Sequence, residues 1–151
     1  MIRRGGSADL ELVFAIQREA SLAGFANVFP PELYPYPDAA VRAELRTQLA
    51  DPANITLIDG GGRGFALVGN DWLQRLFVRR AAWGTGLADE LHAAALDALR
   101  ELGATSASLW CLAENARARR FYEKRGWRLN GTTRVVPFPP NPLDVGYSID
   151  L

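Results

Sequence analysis

The most constraining feature of the chain is the run Val78-Arg79-Arg80-Ala81-Ala82-Trp83-Gly84-Thr85-Gly86-Leu87-Ala88, which joins a strand pattern to a helix pattern. Before it, over Trp72–Arg79, Leu73, Arg75 and Phe77 alternate against Trp72, Gln74, Leu76 and Val78, the period of a strand. After it, Leu87, Leu91, Ala95, Ala98 and Leu102 recur at helical steps. They predict the longest helix, over about 84–102, with Gly103 ending it. Two glycines and an alanine strip side chains from the first helical turn, so backbone N–H groups face outward at the positive end of the helix dipole. Such a turn binds phosphate, although glycines also serve a tight strand-to-helix turn alone. A Walker loop is excluded, because the only lysine is Lys124, and Asp89 stands where a dinucleotide fingerprint needs a small residue.

The rest of the chain follows a mixed order. Ile2–Arg4 reads as a short strand, and Ser7 and Asp9 offer helix-start chemistry ahead of Leu10, Val13, Phe14, Ile16 and Gln17. Gly24 and the prolines at 30, 31, 35 and 37 break that helix, and Asp38 is placed to cap a second one carrying Val41, Leu45, Gln48 and Leu49. Ile55–Asp59 and Phe65–Gly69 are strands joined by the glycine turn 60–64. Ser106–Leu112, Trp127–Val136 and Val145–Leu151 are further strands, with a short helix Asn115–Arg125 closed by Gly126. The expected order is β-α-α-β-β-β-α-β-α-β-β: one α/β domain over 1–151, its largely antiparallel mixed sheet flanked by helices. Strands and helices do not alternate strictly, which argues against a doubly wound sheet.

Charge narrows the function classes. Lys plus Arg equals Asp plus Glu at 17 each, for a net charge of zero, which disfavours a protein that coats nucleic acid. The longest charge-free stretches are 20–31 and 102–113, short of the ~20 apolar residues of a membrane span. Arg3, Arg4, Asp9 and Glu11 interrupt the start of the chain before any apolar run develops, unlike a secretory leader. Cys111 is the single cysteine, so neither an internal disulfide nor a cysteine-rich zinc site is expected. These features predict a cytoplasmic protein with no metal and no membrane or nucleic-acid partner.

Leu109–Trp127 carries the second informative pattern. A strand is followed by Asn115, Ala118, Phe121, Tyr122, Gly126 and Trp127 in the spacing Asn-x-x-Ala-x-x-Phe-Tyr-x-x-x-Gly-Trp. With the glycine turn at Trp83–Ala88 and the preceding Leu76-Phe77-Val78, this segment resembles the GNAT superfamily of acetyl-CoA-dependent N-acetyltransferases. The two motifs cover about residues 73–127, and Trp83 and Arg80 depart from the family's usual Gln or Arg and Pro. The resemblance implies that backbone amides around Trp83, Gly84, Thr85, Gly86, Leu87 and Ala88 hold the pyrophosphate of acetyl-CoA. It implies that Leu76, Phe77 and Val78 pair with the pantetheine arm like an added strand, and that Asn115 bonds that arm. Arg75, Arg79, Arg80, Arg117, Arg119, Arg120, Lys124, Arg125 and Arg128 crowd the two segments, as phosphates would require.

The implied reaction moves an acetyl group to a primary amine of a small molecule or peptide. It needs an oxyanion donor, which a strand amide supplies, and a proton for the departing thiolate. Tyr122 is the expected acid, since a phenol with a pKa of about 10 is protonated at neutral pH. Asp71, near the start of the fourth strand, is the expected base, with Glu32, Asp38, Glu114 or a water relay as alternatives. His92 lies just past the buried stripe and reads as a surface or satisfied histidine, and Cys111 as a buried inert thiol. Two proline-rich loops, Gly24–Pro37 with Phe25, Phe29, Tyr34 and Tyr36, and Val135–Pro142 with Phe138, lie outside both motifs. They read either as the acceptor wall or as a homodimer contact. A non-catalytic acyl-CoA sensor or a partner-binding module on the same fold is the alternative to an enzyme.

Overall fold

The computed structural model describes residues 1–151. Its regular elements are β1 (Ile2–Gly5), α1 (Leu10–Gly24), α2 (Asp38–Ala50), β2 (Asn54–Asp59), β3 (Gly64–Gly69), β4 (Trp72–Val78), α3 (Leu87–Glu101), β5 (Ser106–Leu112), α4 (Ala116–Lys124), β6 (Arg128–Val135) and β7 (Leu143–Asp150). This is the expected order, with added single 3-10 turns at Ser7–Asp9 and Arg80–Ala82. Alternation explains why the sheet sits between two helical layers. Leu57, Ala66, Val68, Leu73 and Val78 face α3 and pack on Leu87, Leu91, Ala95 and Ala98. Ile58, Phe65 and Leu67 face the other way, onto Val13, Phe14 and Ile16 of α1 and Val41, Leu45 and Leu49 of α2. A fully buried leucine contributes about 1.5–3 kcal/mol. The Leu87–Leu91 stripe therefore fixes α3 against the sheet, and with it the glycine turn at the end of β4.

The strand order is β1-β2-β3-β4-β5-β7-β6. Every neighbouring pair is antiparallel except β4 and β5, which run parallel and share only the pair Trp72↔Ser108. There the Ser108 amide donates to the Asp71 carbonyl at 2.9 Å, and beyond it the two strands part. The register of β3 on β4 jumps from Val68↔Leu73 to Leu67↔Arg75, leaving Gln74 as a bulge. A bulge bends its strand and increases its twist, which turns β4 away from β5. The sheet is thus split down its middle.

Two local expectations are corrected. The long helix begins at Leu87, not near 84, because Gly84 (φ +76°) and Gly86 (φ +89°) both take the left-handed conformation that a helix excludes. Asp38 is the first residue of α2 and caps nothing; its carboxylate instead accepts from Arg18 Nε at 3.0 Å.

Candidate active site

The split opens into a cleft of about 1270 Å³ that runs through the sheet from the α3–α4 side to the α1–α2 side. One mouth is the glycine turn. The amides of Gly84, Gly86, Ala88 and Asp89 find no acceptor within the protein, while Thr85 turns its amide and hydroxyl back to the Ala82 carbonyl. Gly84, Gly86 and Ala88 line the cleft; the Leu87 side chain is 1% exposed and belongs to the core. Asp89, in the first turn of α3, would repel an anion, but its carboxylate is drawn aside by Arg125.

Trp83 is fixed by two contacts at the cleft mouth. Its Nε1–H donates to the Val78 carbonyl at 2.9 Å, which locks the indole against the end of β4. The Arg117 guanidinium lies 3.6 Å from the centre of the ring, a cation–π contact that holds a positive charge at the cleft mouth. Arg117, Arg120, Lys124 and Arg125 of α4 and its C-terminal end all line the cleft. Of the other basic residues in the two segments, Arg79, Arg80, Arg119 and Arg128 do not line the cleft, and Arg75 lines it apart from the α4 group. Arg75 points to the α1–α2 side and binds Gln48, Gln17 and Glu44. Arg79 binds Glu19 and the Gly62 carbonyl, and Arg119 the Tyr147 hydroxyl and the Ala113 carbonyl. Arg128 sits exposed on the edge strand β6.

Deeper in, Leu76, Phe77 and Val78 form one wall, and Asn115 and Tyr122 the other. Asn115 is the N-cap of α4: its Oδ1 accepts the Ala118 amide at 3.2 Å, which leaves only its NH2 group to serve a ligand. Tyr122 packs edge-on against Phe121 and Trp127, with ring centroids 5.3 and 5.9 Å away, and its hydroxyl makes no bond within the protein. Burial, with the nearby Cys111 adding to it, pushes the Tyr122 phenol above its ordinary value. Tyr122 therefore keeps its proton through the neutral range and presents an O–H donor to the cleft. Cys111 itself is buried, and its thiol is pushed up to about 12 by that burial, so it is inert.

Asp71 does not line the cleft. It is exposed in the turn between β3 and β4, at the end of the split where the strands are still joined, and only its carbonyl is engaged. That position leaves its side chain outside the cleft, so the geometry lends no support to a base there. Glu32, Asp38 and Glu114 do not line the cleft either. His92 is 7% exposed and accepts the Trp127 Nε1–H at 2.9 Å, a satisfied core histidine. Both proline-rich loops do reach the cleft, through Phe25, Phe29, Tyr34, Tyr36, Phe138 and Pro139.

One cleft carboxylate lies outside the sequence expectations. Asp144 of β7 is 6% exposed and lines the far side. The alternation of Asp144, Gly146 and Ser148 against Val145, Tyr147 and Ile149 holds the signal: an aspartate at the head of a polar face that no helix covers.

Comparison with known proteins agrees with this geometry. The model of the acetyltransferase (GNAT) family matches residues 7–127. Among solved structures, a GCN5-related N-acetyltransferase from Rhodopseudomonas palustris superposes with a TM-score of 0.81 at 20% identity, over 100% of this chain and 95% of that one. The PaiA N-acetyltransferase of Thermoplasma acidophilum, determined in complex with coenzyme A, gives 0.73 at 17% identity, over 100% and 98% of the chains. Ard1 of Thermoplasma volcanium gives 0.71 at 18% identity, over 100% and 97%. Comparison with curated proteins returns no match.

Proposed function

The chain belongs to the GNAT acetyltransferase family, and from that premise we propose that it transfers the acetyl group of acetyl-CoA to the primary amine of a small molecule or peptide. The observation that carries this reading is the continuity of the split. Free amides at Gly84, Gly86, Ala88 and Asp89, the parted edges of β4 and β5, and the Tyr122 hydroxyl lie along one cleft. The amides and the α4 cations hold the pyrophosphate. The free edge of β4 at Leu76–Val78 and the Asn115 NH2 group bind the pantetheine arm between the strands.

Chemistry then falls beside the Gln74 bulge. There a β4 amide is available to the thioester carbonyl oxygen as charge develops on it. The neutral amine attacks that carbon and the C–N bond forms; the C–S bond breaks toward Tyr122, whose O–H stabilises the leaving sulfur, and the proton lost by the nitrogen passes through water to that sulfur. The aromatic loops enclose the acceptor's apolar body. A thiol-release assay with acetyl-CoA and a panel of amines tests the proposal. Amine-dependent release of CoA is expected; a protein that binds no acetyl-CoA would refute it.

A further inference from the structure

Asp144 lies opposite Leu112 of β5 and opposite Arg134 of β6, on the sheet face that bears Trp110. Its side chain is nine-tenths buried, and it is held by one bond, Arg134 Nε donating to Oδ2 at 2.9 Å. No protein donor reaches Oδ1, and no buried side-chain oxygen in the molecule is without a partner, so Oδ1 opens on the cleft. The Arg134 side chain is 53% exposed, comes from the edge strand, and lies 4.7 Å from the centre of the Trp110 ring. Trp110 in turn stacks on Trp72, with centroids 5.8 Å apart. A buried carboxylate and an indole face therefore flank one arginine, on a cleft that the loop carrying Phe138 also lines.

Resting on the acetyl-transfer reading, we infer that Asp144 selects the acceptor: it receives the protonated amine of the incoming substrate at Oδ1, beside the Trp110 face, and water takes up the extra proton before the neutral nitrogen attacks. The attraction between a carboxylate and a cation is stronger in a desolvated site than in water, and a tryptophan face adds to that attraction. Arg134 supplies the same two contacts, carboxylate and indole, from the protein's own edge strand. It balances Asp144 in the free protein and competes with the substrate's charge. The acceptor class is thus an amine that is cationic in solution and carries an apolar body. A free arylalkylamine and a peptide N-terminus before an apolar residue share this chemistry.

The test uses the full chain with two probes, 2-phenylethylamine and alanyl-phenylalanine amide, and follows CoA release. Whichever probe is acetylated identifies the source. Asp144→Asn is expected to raise the KM of that probe at least ~10-fold, the loss of one charge-assisted hydrogen bond, with acetyl-CoA affinity unchanged. Arg134→Gln keeps a donor to Asp144 but removes the competing charge, and is expected to lower the probe KM. The opposite signs separate substrate binding from a structural role. If melting shows Asp144→Asn unfolded, the direction of Arg134→Gln decides. An unchanged probe KM in folded Asp144→Asn, or a raised one in Arg134→Gln, overturns the inference and leaves acetyl transfer standing. So does a wild type that binds acetyl-CoA and acetylates neither probe. A wild type that binds no acetyl-CoA removes both.

Discussion

Tyr122 shows how a residue's type and its surroundings divide the information. The spacing from Asn115 to Trp127 marks the tyrosine in the sequence, but the burial that raises its pKa comes from packing against Trp127 and the nearby Cys111 of β5. Tyr122→Phe removes only the hydroxyl and keeps the ring contacts, so the fold and acetyl-CoA affinity should persist. The turnover number should fall on the order of 10²-fold, the low end for loss of an acid. Equal turnover under rate-limiting chemistry would remove Tyr122 from the reaction. His92 makes a second prediction. Burial holds its pKa below the ordinary value of about 6.5, because protonation would end its acceptance of the Trp127 N–H. Below pH 6.5 the unfolded chain then binds a proton that the folded one refuses, so stability present above that pH is lost as pH falls, by up to ~1.4 kcal/mol per unit. Asp9 and Asp59, held low by Arg3 and Arg63, act only in the carboxylate range beneath. Melting temperatures from pH 7 to 5 should decline in the wild type and flatten in His92→Gln; parallel slopes would contradict this.

At the scale of elements, the strands, the long helix and their order are legible because their apolar periods are long and regular. What the sequence does not show is direction. Arg75 of β4 belongs to one of the two basic segments, with α4 in the other, yet it turns to α1 and α2 because the Gln74 bulge resets which face it occupies. Asp71 lies outside the cleft for the related reason that a position near a strand's start does not say which end of a split sheet it marks. The glycine turn is legible in kind but misplaced by three residues, since Thr85 and two left-handed glycines delay the helix. A Cβ added at Gly86 would meet nothing within 4 Å, so the requirement for glycine is conformational rather than steric crowding. A side chain there costs about 1–2 kcal/mol, a loss of roughly 2–8 °C in melting temperature. Gly86→Ala should show that loss and still bind CoA by calorimetry. Gly86→Glu should show it and lose binding more than tenfold, its carboxylate standing where phosphate belongs. Equal binding by the two variants would move the phosphate elsewhere.

For the whole molecule, the side of the cleft proposed for the acceptor is built from segments that begin more than a hundred residues apart, the Gly24–Pro37 and Val135–Pro142 loops. Their composition is visible in the chain, but their convergence depends on the strand order that returns β6 and β7 beside β5. Tyr34→Ala with Phe138→Ala should raise the acceptor KM and leave the solution mass unchanged; a fall in mass with kinetics intact would make these loops a subunit contact. The junction of β4 and β5 carries a broader consequence. With one residue pair joining them, the sheet behaves as two plates meeting at a crack, closed at Ser108 and held elsewhere by the core. In the proposed binding mode, cosubstrate bonded to both lips acts as mortar, and binding to the folded form alone adds stability. Deuterium uptake should therefore slow on both sides of the crack, in β4 and β5 together, when CoA is added, and uptake in β1 and β2 should stay as it was. Slowing confined to the glycine turn would show that the plates are already rigidly joined.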